Sequence, residues 1–67
     1  MWVLTNSGET AVNLERADRL TVDYKKGMWR IIAWTPGHGT YVFESTDKVD
    51  CTDWINAMIA KMNGRLL

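Results

Sequence analysis

The chain has 67 residues, 46% of them hydrophobic, and its eight lysines and arginines are balanced by eight aspartates and glutamates. A single domain of this length buries only about 60% of the surface that its unfolded chain exposes, so its core is marginal. A single cysteine excludes an internal disulfide, and one cysteine with one histidine argues against a structural zinc site of the usual four-ligand kind. The even charge argues against the net basic face of a nucleic-acid-binding domain.

Small domains often gain stability from a disulfide, a metal or a subunit interface, and only the last of these fits the composition. We therefore expect a homo-oligomer, with an unidentified protein partner as a further possibility. Residues 1–6 show neither the basic region nor the long apolar run of a signal peptide, and no segment reaches membrane-spanning length. We therefore expect a cytoplasmic protein with no membrane contact.

Two short apolar segments, residues 2–5 and 10–14, are predicted strands, and the polar turn at 6–9 joins them as a hairpin. The polar stretch 15–18 fits either a loop or one helical turn, and we prefer the loop. Residues 19–24 then alternate between apolar and polar side chains, which is the pattern of a half-buried strand.

The predicted strand at residues 28–34 is apolar on both of its faces, because successive side chains of a strand point to opposite sides. The apolar residues of one face are Trp29, Ile31 and Ala33. Those of the other face are Met28, Ile32 and Trp34. A type II turn at Pro36 and Gly37 ends this strand, and a last strand follows at residues 41–45.

Matching the apolar faces of neighbouring strands predicts their register. The predicted pairs are Tyr24 with Trp29, Val22 with Ile31, Leu20 with Ala33, Ala33 with Tyr41, and Ile31 with Phe43. The same register places Arg30 between Asp23 and Glu44 on the opposite face, so the charge pattern agrees with the hydrophobic pattern.

After residue 45 the apolar period changes to three and four, which predicts an amphipathic helix over residues 47–63. Its apolar stripe comprises Val49, Cys51, Trp54, Ile55, Met58, Ile59 and Met62. Ser45, Thr46 or Asp47 can cap its start, and Asn63-Gly64 supplies a left-handed stop. The sequence therefore predicts an α+β fold: an antiparallel meander of about five strands with one C-terminal helix packed on one face.

One helix covers one face of such a sheet, so the other face needs a second cover. The residues predicted to point outward form the candidate interface: Met28, Ile32, Trp34, Val42 and Arg19. Trp34 is its predicted anchor, because tryptophans often dominate the binding energy of protein interfaces. The alternatives are a tryptophan covered by its own chain and a platform on which nucleic-acid bases stack.

Few residues could support catalysis. His38 lies between two glycines of a turn, and the sequence places no nucleophile or second acid–base group beside it. Cys51 falls on the apolar side of the helix, where we expect a buried thiol. Asp47, Asp50 and Asp53 recur every three residues, which could attract a divalent ion but is better explained by their position at the helix N-terminus. We predict no catalytic, cofactor or metal site.

The order of these elements carries a family resemblance. Val12-Asn13-Leu14, a short polar connection, the strands at 20–24, 29–33 and 41–45, and the terminal helix resemble the layout of short uncharacterised proteins of Gram-positive bacteria and their phages. The resemblance covers most of the chain. It implies the same fold of a strand meander and a C-terminal helix, and it implies no activity.

The leading interpretation is a non-enzymatic interaction or assembly module that self-associates through the outer sheet face or a sheet edge. The alternative is a single-stranded nucleic-acid binder that stacks bases on Trp34 near Arg16, Arg19 and Arg30. A small enzyme comes third, since it requires His38 or Cys51 in a concave pocket beside a carboxylate.

Overall fold

The computed structural model describes residues 1–64, which form five strands, a 3₁₀ turn and one helix. In chain order the elements are β1 (Trp2–Leu4), β2 (Ala11–Asn13), the 3₁₀ turn (Leu14–Arg16), β3 (Arg19–Lys25), β4 (Met28–Thr35), β5 (His38–Ser45) and α1 (Lys48–Gly64). β1 pairs with β2 in a two-stranded sheet, and β3, β4 and β5 form a three-stranded sheet in that order, with all pairings antiparallel. The predicted α+β fold is confirmed, with its five strands divided between two sheets.

Tight two-residue turns join the strands of the larger sheet. Lys26 and Gly27 both have positive φ angles, 53° and 80°, which is the type I′ turn whose twist suits a hairpin. At the next turn Pro36 precedes Gly37, whose φ is 97°, as the predicted type II turn requires. These turns set the pairing of β4 with both of its neighbours.

The connection after β2 is a helical turn, so the preference for a loop at residues 15–18 was wrong for its first half. The Asn13 side chain accepts a hydrogen bond from the Glu15 amide (3.2 Å), and the Ala17 amide donates to the Leu14 carbonyl (3.2 Å). The Met1 ammonium group also donates to the Asn13 side chain and lies 2.9 Å from a Glu15 carboxylate oxygen. This turn buries Leu14, which is only 3% exposed.

The register of β3 against β4 is confirmed at each predicted pair. The pairs are Tyr24 with Trp29, Val22 with Ile31, and Leu20 with Ala33. Arg30 lies opposite Asp23 on one side and Glu44 on the other, also as predicted.

The register of β4 against β5 is interrupted by a β-bulge at Val42. Ile31 pairs with Phe43, as predicted, but its neighbour Ile32 pairs with Tyr41, so Val42 is an extra residue in β5. The pairing predicted between Ala33 and Tyr41 is therefore wrong.

The bulge exchanges the faces that were predicted for two side chains. Val42, predicted to point outward, is 1% exposed in the core, whereas Tyr41, predicted to lie under the helix, is 51% exposed on the opposite face. Thr40 takes the predicted place of Tyr41 opposite Ala33. On the N-terminal side of the bulge, the side chains of β5 alternate with a shift of one residue relative to the predicted pattern. This shift accounts for the wrong faces predicted for Val42 and Tyr41.

The core lies between the three-stranded sheet, α1 and the small sheet. Its buried hydrophobic residues are Leu14, Ile31, Ala33, Val42, Cys51 and Met58. The helix packs over β4 and β5, where the rings of Phe43 and Trp54 stack with centroids 5.8 Å apart. Trp29 and Trp54 are half-buried against the cluster, as predicted, and Val3 and Val12 bring the small sheet onto it.

The helix begins after Asp47, whose carboxylate accepts a hydrogen bond from the Val49 amide (3.0 Å), a side-chain N-cap. Ser45 adds a second brace, because its hydroxyl accepts from the Asp47 amide (3.1 Å) and bonds to the Asp50 carboxylate (2.6 Å). The helix is described through Gly64. Any completion of the predicted left-handed stop at its end involves residues 65–67, which lie outside the described residues.

The apolar stripe of the helix is narrower than predicted. Val49 is 60% exposed and Ile59 is 43% exposed, so both fall outside the core. With 100° of rotation per residue, Val49 lies about 160° around the helix from the buried Cys51, and Ile59 lies about 100° from the buried Met58. Ile59 lies four residues after Ile55, so its spacing fits the predicted stripe, whereas Val49 lies two residues before Cys51 and has no stripe residue three or four positions away.

Candidate interaction surface

The face of the three-stranded sheet that points away from α1 is called the outer face below. Its residues are Arg19, Thr21, Asp23, Lys25, Met28, Arg30, Ile32, Trp34, Gly39, Tyr41 and Glu44. Within residues 1–64, the helix and the buried cluster lie on the other face. The turn between β1 and β2 reaches the β5 edge, where the Asn6 side-chain amide donates to the Glu44 carbonyl (3.0 Å).

The Trp34 side chain contacts both neighbouring strands of the outer face. Its indole N–H donates a hydrogen bond of 2.7 Å to the Thr21 hydroxyl on β3. On the β5 side the ring covers Gly39, where a Cβ atom would meet Cε3 and Cζ3 of Trp34 at 2.9 Å. The ring thus fills the space that the missing side chain leaves in an edge strand. The Arg19 guanidinium lies 5.2 Å from the ring centroid, within the range of a cation–π contact.

Arg30 organises the other half of the outer face. Its Nε and Nη2 atoms donate to the two carboxylate oxygens of Asp23 at 3.1 and 2.9 Å, a bidentate pair. The same guanidinium lies 4.1 Å from the ring centroid of Tyr41. The hydrogen bond to Asp23 raises the pKa of Arg30 above its ordinary value, so the group stays charged. Among the described contacts Arg30 pairs with Asp23, and no ion pair joins it to Glu44.

Four of the five predicted interface residues lie on the outer face. Met28, Ile32 and Trp34 are half-buried there and Arg19 is exposed, whereas Val42 belongs to the core. Tyr41 is the residue that sequence reasoning missed. The run Tyr41-Val42-Phe43 is apolar throughout, so hydrophobic alternation carries no signal for the bulge that turns Tyr41 outward.

A second apolar surface lies on the small sheet, where Trp2 is 70% exposed and Leu4 is 65% exposed. Trp2 also lines an open cleft of about 670 Å³ between β2 and the β4–β5 turn, together with Arg16 and His38. His38 is exposed, as expected, at the first position of β5. Within residues 1–64, the residues that line this cleft include no carboxylate.

Cys51 is fully buried, as predicted. Burial raises the pKa of its thiol, and the nearby carboxylates of Asp50 and Asp47 raise the pKa further. A raised pKa disfavours the thiolate, which is the nucleophilic form. The environment of Cys51 is thus typical of a structural thiol.

Two of the three early aspartates take part in the start of the helix, since Asp47 caps the first turn and Asp50 bonds to Ser45. Within residues 1–64 no group of three or more histidine, cysteine, aspartate or glutamate side chains is arranged to hold a metal ion. No helix in this part of the chain is long and apolar enough to cross a membrane.

Comparison of the chain with protein-family models, with curated proteins and with solved structures finds no match. The resemblance to short proteins of Gram-positive bacteria and their phages stays a prediction.

Proposed function

We propose that the chain is a small non-enzymatic interaction module that self-associates through the outer face or an edge of its three-stranded sheet. The observation that supports this most is the outer face itself. It carries Tyr41, 51% exposed, beside the half-buried Ile32 and Trp34, while α1 occupies the opposite side. Exposed aromatic residues grouped on one face are typical of protein interaction sites.

The aromatic groups of this face are held in place before any partner binds. Trp34 is fixed by its hydrogen bond to Thr21, and Tyr41 lies against the Arg30 guanidinium. Side chains that are already ordered lose little conformational entropy on binding, so more of the contact energy contributes to affinity. The ordering of Trp34 and Tyr41 before contact therefore favours binding of a partner.

The size of the outer face limits how tightly it binds alone. Three strands spaced about 4.8 Å apart and about 25 Å long present a planar area of roughly 350 Å². A stable protein interface buries about 800 Å² on each partner. Contact through the outer face alone therefore belongs to the weak, concentration-dependent class.

Sedimentation velocity from micromolar to millimolar concentrations tests self-association, and we expect the average mass to rise with concentration. A paired variant, Ile32→Thr with Tyr41→Thr, tests the outer face while keeping β-prone residues in both strands. Val49→Thr is the matched control, because Val49 is an exposed β-branched residue on the helix. A protein that stays monomeric throughout the range contradicts the proposal.

Single-stranded nucleic-acid binding is a second candidate, supported by the two arginine–aromatic contacts of the outer face. The bidentate pairing of Arg30 with Asp23 and the zero net charge weigh against it. Arg16, also predicted to contribute, lines the cleft beside β2. If bases stack on Trp34, oligonucleotides should quench tryptophan fluorescence less as salt rises, and quenching should persist in Trp2→Phe.

We also propose a cytoplasmic location and a bacterial or phage origin for the chain. The origin rests on the family resemblance of the element order. Neither attribute affects the solution tests, which use the purified chain.

A further inference from the structure

The two edges of the three-stranded sheet have different surroundings. The β5 edge is flanked by the β1–β2 hairpin, through the Asn6–Glu44 hydrogen bond and a cleft that Thr10 and Thr40 both line. At the other edge, the seven residues Arg19–Lys25 of β3 pair with β4 on one side, and no strand within residues 1–64 pairs on the other. Unpaired N–H and C=O groups along such an edge form a template for another strand.

We propose that β3 pairs antiparallel with β3 of a second copy about a two-fold axis at Thr21. The occupant of the free edge is thus the chain itself, and the inference rests on the proposed self-association. The product is a six-stranded sheet with both helices on one face and both outer faces joined on the other. Pairing of identical edges about a two-fold axis is closed, so it ends at a dimer.

Charge complementarity selects the register. Each antiparallel register of β3 against β3 of the second copy is named by the residue on its two-fold axis. Three registers keep the apolar faces on the same side and pair five or more residues of each strand, and they are centred on Thr21, Val22 or Asp23. Centring on Val22 places Arg19 opposite Lys25, and centring on Asp23 places two aspartates opposite each other. Centring on Thr21 places Arg19 of each copy opposite Asp23 of the other, so it is the one that pairs opposite charges.

Asp23 can accept this second partner. Each of its carboxylate oxygens takes one hydrogen bond from Arg30, and an ionised carboxylate has about four acceptor sites in all. The side chain is also 40% exposed, so an approaching guanidinium can reach it. The intramolecular ion pair therefore orients Asp23 without occupying all of its hydrogen-bond acceptor sites.

The other face of the sheet has a matching protrusion and recess. Tyr24 projects at one end of β3 with 58% of its surface exposed. At the other end, Ala17, Leu20 and Ile59 are among the residues that line a cleft of about 260 Å³ between β3 and α1. The two-fold axis at Thr21 places Tyr24 of one copy opposite Asp18 of the other, beside this cleft. Both copies then cover apolar surface that the monomer exposes.

Cysteine cross-linking tests the position of the axis. In a Cys51→Ala background, Thr21→Cys places two thiols opposite each other at a strand spacing of about 4.5 to 5.5 Å, which a disulfide can span. The matched control is Lys25→Cys, on the same face of the same edge, where the two thiols lie about 27 Å apart in this register. We expect fast disulfide formation at Thr21→Cys and slow formation at Lys25→Cys under mild oxidation.

A charge reversal tests the register without a cross-link. Arg19→Glu places like charges opposite Asp23 and is expected to weaken dimerisation by roughly tenfold in sedimentation experiments. In the register centred on Val22 the same change would face Lys25 and strengthen the dimer. Lys25→Glu is the control, because Lys25 lies outside the five paired residues and its change should leave the proposed dimer nearly unaffected.

The outcomes separate the two proposals. A dimer that cross-links at Thr21→Cys and weakens with Arg19→Glu supports both. A dimer that cross-links no faster at Thr21→Cys than at Lys25→Cys, or that strengthens with Arg19→Glu, overturns the β3 pairing and leaves self-association standing. A monomer at all concentrations overturns both.

Discussion

The two faces of β4 are stabilised by different means, although both were predicted to be apolar. On the inner face, Ile31 and Ala33 are fully buried. On the outer face, Trp34 and Arg30 are held by one hydrogen bond to Thr21 and one bidentate ion pair with Asp23. The inner face derives its stability from exclusion of water, and the outer face from specific polar contacts that leave ring surface accessible.

This difference explains how a small domain keeps aromatic rings exposed without losing their order. A loose tryptophan on a sheet would sample several rotamers, whereas Trp34 is held between Thr21 and Gly39. The polar anchors thus allow the outer face to remain a defined surface while the helix covers the other side.

The largest effect is expected on the inner face. Ile31→Ala should cost about 2 to 5 kcal/mol, because it removes a fully buried side chain and leaves a cavity. A core of this size supplies only about 3 to 5 kcal/mol, so we expect loss of cooperative thermal unfolding by circular dichroism. Val49→Ala, at an exposed helix position, should change stability by less than about 0.5 kcal/mol. A cooperative Ile31→Ala transition near that of the parent would contradict a core centred on this face.

A smaller effect is expected from Gly39→Ala on the outer face. The added Cβ would lie 2.8 Å from Ile32 Cγ2 and 2.9 Å from two carbons of the Trp34 ring, so the ring must move. We expect a loss of about 1 to 3 kcal/mol in urea unfolding. The control is the same substitution in a Trp34→Ala background, where it should cost less because one of its two obstacles is gone. Equal costs in both backgrounds would show that Trp34 does not cover Gly39.

Removal of a single polar anchor should have a milder effect. Thr21→Val keeps the shape of the side chain but removes the acceptor of the Trp34 indole N–H, at an expected cost of about 1 kcal/mol. In a Trp34→Phe background, which has no indole N–H, the same substitution should cost close to nothing. If it costs the same there, Trp34 is not held by this hydrogen bond.

The smallest effect concerns the pH dependence of the inner face. The folded state raises the pKa of Cys51 above its ordinary value of 9.0, mainly by burial. Its neutral thiol therefore contributes full stability below about pH 9, and this contribution is lost as pH rises towards the folded pKa. We expect stability to decline less steeply above pH 9 in Cys51→Ala than in the parent, measured by urea unfolding. Parallel declines in the two proteins would contradict the assigned shift.

Much of the larger sheet could be predicted from the sequence. The clean alternation of residues 19–24 on one strand and the apolar face of Trp29, Ile31 and Ala33 on the next specified the register of β3 against β4, and the place of Arg30 beside Asp23 agreed with it. A one-residue slip would move every apolar side chain of residues 19–24 to the wrong face, so the register is strongly specified. The prediction for α1 succeeded for the residues that the helix spans but not for the width of its apolar stripe, because Val49 and Ile59 are exposed.

The candidate surface was predicted less well, for a physical reason. Three consecutive apolar residues, Tyr41 to Phe43, suit either face of a strand, so the position of an extra residue depends on packing with α1 and the small sheet. The position of the Trp34 ring likewise depends on Gly39, a residue on another strand. Hydrophobic periodicity and composition describe one strand or helix at a time. The bulge at Val42 and the position of the Trp34 ring depend instead on contacts between strands and helix.

The bulge at Val42 makes β5 a strand with two reading frames. Residues after it follow one alternation and residues before it follow the other, so the face shown by the first half of β5 is set by the bulge as well as by composition. Regular pairing of the same residues, with Val42 opposite Ile32, would place Tyr41 opposite Ala33 on the side of the helix without altering a single side chain. The outer surface of β5 can therefore change through a change of pairing alone, with Thr40 and Val42 presented in place of Tyr41.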